Sequence, residues 1–159
     1  MGTIYLISVF IHVICATFWI GGMLFIPLIL VPSIKNQPNR VLLLYETGIK
    51  FRFYGWISVM ILFITGFLNM YFRGLPFTLE FFINSKYGKL LSLKLTLFVL
   101  MLLVGGIHDF YYGIKSIDEM KTTSNIKFKR IARLTGMLNL LLALVIAFLG
   151  IAISRGGGF

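Results

Sequence analysis

The chain has 159 residues, of which 58% are hydrophobic and 13% charged, and its mean hydropathy is +0.94. This composition excludes an ordinary soluble domain and predicts an integral membrane protein. The net charge of +10 does not indicate nucleic-acid binding, because the basic residues lie in short connections between apolar segments. The single cysteine, Cys15, excludes a disulfide framework and a C-x-x-C metal site.

Four apolar segments are each long enough to cross a bilayer, and we predict one transmembrane helix in each, at about residues 4–30, 53–72, 90–112 and 135–154. The first segment is too long for a signal peptide and lacks a basic leading region, so we expect it to stay in the membrane. Pro27 and Pro32 are expected to bend or end it. Short connections favour antiparallel neighbours. The predicted fold is therefore all-α, an antiparallel four-helix membrane bundle in a single domain, residues 1–159.

The distribution of basic residues predicts the orientation of these helices. The first and third connections carry ten Lys and Arg residues, whereas the second connection and the C-terminus carry four. By the positive-inside rule, the first and third connections lie in the cytoplasm and both termini lie on the outer side of the inner (plasma) membrane. Residues 77–91 mix charged and aromatic side chains, and we expect them to lie along the outer membrane interface.

No convincing internal repeat is evident, although the first and third helices each carry a glycine pair. These pairs are Gly21-Gly22 and Gly105-Gly106. Small residues allow membrane helices to approach closely, so we interpret both pairs as helix-packing positions.

The third predicted helix carries three polar interruptions, Lys94, His108 and Asp109. Charged or titratable side chains at membrane depth are costly, so they indicate functional sites. Lys94, Met101 and His108 are seven residues apart and therefore share one helix face. The alternatives are a lysine whose ammonium extends to the outer interface and a histidine hydrogen-bonded to a neighbouring helix.

The first predicted helix has one face lined by potential ligands and an aromatic ring, at His12, Cys15, Trp19 and Met23. His12 is expected at a depth close to that of Lys94. Thr65 and Asn69 fall at a similar depth near the end of the second helix, so an outer polar layer is predicted. A second layer, toward the cytoplasm, would combine His108 and Asp109 with residues near the starts of the second and fourth helices, namely Arg52, Tyr54 and Asn139.

The chemistry of these layers leaves a metal and a haem open as alternatives. Histidine is the commonest metal ligand, thioethers favour Cu(I), and haem iron accepts His together with His or Met. The candidate metal ligands are His12, His108, Met23 and Met101, and the candidate cofactor-binding residues are His12, Lys94, Trp19 and Asn69. A bis-histidine dihaem cytochrome needs two histidines for each haem, and the chain has only two. No motif of a soluble enzyme is present.

A series of short motifs follows the chain, and their order is more specific than any one of them. They are His12, WIGG at 19–22, RFYGW at 52–56, Thr65-Gly66 with Asn69, YGKLL at 87–91, Lys94, HDF at 108–110, Arg133 with Asn139, and Arg155-Gly156. In this order they resemble the CopD family of copper-resistance membrane proteins. The resemblance implies a multi-pass protein of the inner membrane that handles copper, in transport or in resistance.

A related group, the HemJ type of protoporphyrinogen oxidase, is similar to the chain at His12, Trp19 and Lys94. This similarity implies a four-helix membrane protein that binds haem b, with His12 as axial ligand, and that acts as an oxidase or an electron carrier. The chain departs from the group at Pro27-Leu28, where the group has Pro-Arg followed by an aromatic residue. The missing arginine argues against porphyrin oxidation and leaves haem binding open.

Copper handling is thus the first prediction, haem-based redox function is the alternative, and an assembly subunit without a cofactor is a third. The expected partners are the lipid bilayer, a metal ion or haem, and a periplasmic copper or electron-transfer protein, with no nucleic acid. A bundle of this size also permits a homodimer whose interface holds the site.

Overall fold

The computed structural model describes residues 2–109 and 126–156, and in this part of the chain every regular element is helical. The elements are α1 Gly2–Phe25, a π-helical turn Ile26–Leu30, α2 Val31–Ser33, α3 Arg40–Phe72, α4 Leu79–Asn84, α5 Lys86–Ile107 and α6 Ile126–Ser154. Among the described residues, four stretches are long and apolar enough to cross a membrane: Gly2–Ser33, Arg40–Phe72, Lys86–Ile107 and Arg133–Ser154. The prediction of an all-α membrane protein with four transmembrane helices is confirmed.

Three long helices begin earlier than the apolar segments predicted, which is a correction. α3 begins at residue 40 instead of 53, α5 at 86 instead of 90, and α6 at 126 instead of 135. Hydropathy detects only the apolar part of a helix, whereas good helix formers such as Leu, Glu and Arg continue it into the polar region. Arg40, Lys50 and Arg52, which precede the predicted start of the second helix at residue 53, therefore lie on α3. The predicted end of the third helix at residue 112 falls outside the described residues.

Two prolines shape the end of the first span as predicted. Pro27 lies in the π-helical turn Ile26–Leu30, and α2 ends one residue after Pro32. A proline ring displaces the preceding turn and removes a backbone N–H donor. The α-helical hydrogen bonds therefore give way to a π-helical turn at Pro27, and the helix ends after Pro32.

The first of two compact units ends at Leu75 and is an antiparallel pair of α1 and α3. Near the start of α1, the Tyr5 ring centroid lies 6.5 Å from that of Phe72. Toward the end of α1, Trp19 stacks on Phe51 with 5.9 Å between the centroids. Aromatic contacts thus hold the pair at two levels, and polar side chains lie between them.

The second compact unit begins at Pro76 and contains α4, α5 and α6. Serine caps the long helix α5, since the Ser85 hydroxyl accepts a hydrogen bond of 2.8 Å from the Gly88 amide. Gly88 also lies directly against the carbonyl oxygen of Phe81, where a side chain would not fit. The glycine of the YGKLL motif is therefore required for α4 to turn back onto α5. Whether residues 77–91 lie at the membrane interface stays a prediction.

One glycine of each predicted pair makes a close contact, as expected of small residues between membrane helices. Gly22 of α1 contacts the Phe51 ring, and a Cβ on Gly105 of α5 would lie 3.2 Å from the Asn139 amide nitrogen. The second member of each pair, Gly21 or Gly106, has no such neighbour within 4 Å.

Candidate functional site

In the first unit, a threonine of α3 fixes the ring of His12. The His12 Nδ1 atom lies 2.8 Å from the Thr65 hydroxyl oxygen. That hydroxyl donates its hydrogen to the Ile61 carbonyl at 2.7 Å, one turn earlier on the same helix. With its hydrogen directed to that carbonyl, the hydroxyl oxygen accepts from Nδ1–H in the tautomer that carries the proton on Nδ1. A neutral His12 ring then carries its lone pair on Nε2, which is the atom that a metal would bind.

The second unit contains the same arrangement. The His108 Nδ1 atom lies 2.9 Å from the Thr135 hydroxyl oxygen, and that hydroxyl donates to the Ile131 carbonyl at 3.0 Å. The neutral ring again carries its lone pair on Nε2. His108 directly follows the third span, which ends at Ile107. Burial lowers the pKa of the His108 imidazole, and the nearby Asp109 carboxylate raises it to a smaller extent, so the neutral ring is favoured.

Both threonines begin the same pentapeptide, which the sequence analysis missed. Residues 65–69 read TGFLN and residues 135–139 read TGMLN. In each case the glycine lies beneath the imidazole, because a Cβ at Gly66 would lie 3.7 Å from Cε1 of His12 and a Cβ at Gly136 would lie 3.4 Å from Cε1 of His108. We call each histidine with its T-G-x-L-N pentapeptide a His–Thr module. A search for short identical patterns on the second and fourth helices would have found it.

The asparagine that ends each pentapeptide lies one turn beyond the threonine on the same helix face. In the first unit the buried Asn69 Oδ1 atom has no hydrogen-bond partner among the described residues. Ser8, one turn before His12, is 5% exposed, and its hydroxyl likewise lacks a partner among them. In the second unit Asn139 is also 5% exposed and packs against Gly105. The first module is therefore flanked by two buried oxygen atoms that a polar ligand would satisfy.

Lys94 lies in the second unit, with its side chain directed across the helix pair. A Cβ at Gly150 of α6 would lie 3.2 Å from the Lys94 Nζ atom and 3.8 Å from Cε. The ammonium therefore lies over a glycine of the facing helix. The predicted proximity of Lys94 to His12 joins residues of different units and stays a prediction.

The structure gives Trp19 a clear packing contact. Trp19 is 5% exposed, and its ring lies over Gly55, where a Cβ would come within 2.6 Å of the indole. The tryptophan of WIGG and the glycine of RFYGW thus meet in one contact between α1 and α3. A role of Trp19 in binding a cofactor stays a prediction.

The candidate sulfur ligands differ in burial. Met101 is 3% exposed and lies two turns before His108 on the same face of α5, whereas Met23 is only partly buried near the end of α1. Cys15 is buried one turn after His12. Within residues 2–109 and 126–156, no group of three or more His, Cys, Asp or Glu side chains is arranged to hold a metal ion.

Comparison with known proteins assigns the family. Residues 46–152 match the family described as copper resistance protein D, CopD. The chain belongs to the CopD family. The resemblance noted from the order of its motifs is therefore confirmed, and the chain is a multi-pass membrane protein of this family.

Two relatives of known sequence were also found. An uncharacterised protein of Aquifex aeolicus is 33% identical over 149 residues, which cover 92% of this chain and 93% of that protein. The copper transport protein CutJ of Bacillus subtilis is 30% identical over 106 residues, which cover 67% of this chain and 19% of CutJ. The chain thus matches only a small part of CutJ. No solved structure is significantly similar to the chain.

The CopD match divides the candidate residues. It begins at residue 46 and so includes both pentapeptides, Lys94, Met101 and His108. His12, Trp19 and Met23 precede it. The second His–Thr module therefore lies completely within the CopD match. Of the first module, only the pentapeptide lies within the match, because His12 precedes residue 46.

Proposed function

We propose that this CopD-family protein handles copper, in transport or in resistance, at the inner (plasma) membrane. The family assignment and the similarity to the copper transport protein CutJ support this proposal. The excess of basic residues between the first and second apolar segments and between the third and fourth favours a cytoplasmic location for both regions. A copper-carrying protein on the outer side would be the partner that exchanges the cargo, and an electron-transfer protein would be the partner under the haem alternative.

The observation that carries the proposal is the pair of threonine-held imidazoles. A metal-binding histidine typically donates its second ring N–H to a neighbouring acceptor, which fixes the tautomer and the ring orientation. The Nδ1 atoms of His12 and His108 lie 2.8 and 2.9 Å from threonine hydroxyls that can accept such a bond. In that tautomer Nε2 is the ring nitrogen that has the chemistry of a copper ligand.

Methionine sulfur atoms near the histidines would favour Cu(I) over other metal ions. Thioethers are soft ligands that select Cu(I) over harder cations. Met101 is buried on the face of α5 that carries His108, and Met23 shares a face of α1 with His12. We therefore propose copper binding at these two histidines, with Met101 and Met23 as sulfur groups two and three turns away along the same helix faces and Asn69 as a polar group beside the first site.

The test is a metal analysis and an absorption spectrum of the same detergent-purified protein. We expect bound copper in the wild type and less copper in both His12→Ala and His108→Ala. Val13→Ala is the control, because Val13 is 53% exposed and adjacent to His12, so its copper content should equal that of the wild type. Cells that express the chain should also differ in copper content from cells that express His12→Ala.

Two results would contradict copper handling. One is a purified protein that takes up no copper, together with cellular copper that does not respond to His12→Ala. The other is a Soret band that disappears in His12→Ala, which would instead support haem b with His12 as axial ligand and Lys94 near a propionate. A colourless, copper-loaded preparation would argue against haem.

A further inference from the structure

The two His–Thr modules agree in more than their sequence. In both, the threonine donates to the carbonyl four residues earlier and its hydroxyl oxygen lies within 3 Å of Nδ1 of the histidine, at 2.8 Å in one and 2.9 Å in the other. In both, the imidazole Cε1 atom lies over the glycine that follows the threonine. The same side-chain geometry is therefore built in each unit from a different pair of helices.

Each residue of the module has a physical task. The threonine orients the ring and fixes its tautomer. The glycine lies against the ring, since a Cβ in its place would be in van der Waals contact with Cε1, at 3.7 Å in the first module and 3.4 Å in the second. The asparagine lies one turn beyond the threonine on the same face and offers an amide oxygen. In the first module that oxygen, Asn69 Oδ1, is buried without a hydrogen-bond partner among the described residues.

The chain itself contains a comparison that argues against coincidence. It has two histidines, and both are in modules. It also has a third Thr-Gly pair, Thr47-Gly48, which is followed by Ile49-Lys50 in place of x-Leu-Asn. A Cβ at Gly48 would meet nothing within 4 Å, so no imidazole lies over it. The pentapeptide, and not the Thr-Gly pair alone, accompanies the histidine.

We propose that the His–Thr module is one binding device used twice, so that the chain binds two copper ions, one in each unit. This inference rests on the proposed copper function and adds the number and the location of the sites. On the orientation that the basic residues favour, the first module lies in the outer half of its spans and the second lies near the cytoplasmic end of its own. Each ion would then have its own histidine.

The experiment measures the stoichiometry of Cu(I) binding to the full-length purified protein, by competition with a chromophoric Cu(I) chelator. We expect two ions per chain in the wild type, one in His12→Ala, one in His108→Ala and none in the double variant. Thr65→Val and Thr135→Val should each weaken only the site of their own unit, by about 10- to 100-fold, as loss of a ligand's hydrogen-bond partner does. Thr47→Val is the matched control and should leave both sites unchanged.

The outcomes separate this inference from the proposed function. One ion per chain in the wild type, or loss of both ions in either single histidine variant, would overturn the two-site inference and leave copper handling in place. No bound copper would overturn both. Thr65→Ser and Thr135→Ser keep the hydroxyl, and they should restore the affinity that valine removes. If serine and valine weaken binding equally in a protein of normal helical content, the threonine hydroxyl does not position the ring and the module is wrong.

Discussion

The two units use their glycines differently. In the first unit a glycine accommodates a rigid aromatic ring, since Trp19 of α1 lies over Gly55 of α3. In the second unit a glycine accommodates the end of a flexible amine, since Lys94 of α5 lies over Gly150 of α6. Small residues in membrane helices are usually taken to bring backbones together. Here they also determine which large side chain lies between the helices.

This difference predicts how each unit responds to an added methyl group. An indole buried on several sides cannot move without displacing its neighbours, and Trp19 also contacts Phe51 and Trp56. The far end of a lysine side chain can rotate away at little cost. The two units share the His–Thr module, so corresponding threonine variants should destabilise their own units to the same extent, whereas Gly55→Ala and Gly150→Ala should differ.

The largest effect is expected for Gly55→Ala. The new Cβ would lie 2.6 Å from the Trp19 ring, which is closer than the two can approach, so the indole or a helix must shift. Overpacking of this kind costs about 1–3 kcal/mol of unfolding free energy. Denaturant unfolding of the protein in detergent micelles, followed by circular dichroism, measures it.

Gly48→Ala on the same helix is the control for that substitution. A Cβ there meets no atom within 4 Å, and alanine is favoured over glycine in a helix by about 0.5–1 kcal/mol. The control variant should therefore be as stable as the wild type or slightly more stable. If Gly55→Ala were equally harmless, the packing of Trp19 on α3 would be disproved.

A smaller and equal effect is expected for Thr65→Val and Thr135→Val. Valine keeps the shape and removes the hydroxyl that pairs with the imidazole, and side-chain hydrogen bonds between membrane helices contribute about 0.6–1.7 kcal/mol. The same unfolding measurement should give the two variants matching losses. Ser58→Ala serves as control, because the Ser58 hydroxyl donates to the Tyr54 carbonyl of its own helix. If only one of the two threonine variants lost stability, the two modules would not be equivalent.

The smallest change in stability is expected for Gly150→Ala. Its Cβ would lie 3.2 Å from Lys94 Nζ, so the ammonium needs to move by only a few tenths of an ångström. The helix propensity of alanine offsets this cost, and the net change should stay within about 0.5 kcal/mol. Gly106→Ala, with no neighbour within 4 Å, is the matched control on the facing helix. A loss as large as that of Gly55→Ala would mean that Lys94 is held as rigidly as Trp19.

The sequence predicted the helices well because twenty consecutive apolar residues have few other solutions in a bilayer. It missed the helical extensions at Arg40 and Ile126, because hydropathy identifies only the apolar part of a helix. It selected His108 from the cost of a titratable group at membrane depth, and His12 from the helix face that it shares with potential ligands. It did not predict their threonine partners, because a hydrogen bond between helices depends on register, and register is fixed by contacts such as Trp19 on Gly55 that no single segment encodes.

The last prediction concerns the tautomer, on which the equivalence of the two units depends. Each threonine hydroxyl has one hydrogen, and it points to a carbonyl of its own helix, at Ile61 or Ile131. This arrangement favours the tautomer in which each neutral imidazole carries the proton on Nδ1 and the lone pair on Nε2. The chain has only two histidines, so nitrogen-15 NMR of histidine-labelled protein in bilayers at neutral pH should resolve both rings. Two rings protonated on Nδ1 are expected. A proton on Nε2 in either ring would mean that its threonine donates instead of accepting, and that unit would then not present a metal-binding nitrogen to the helix face.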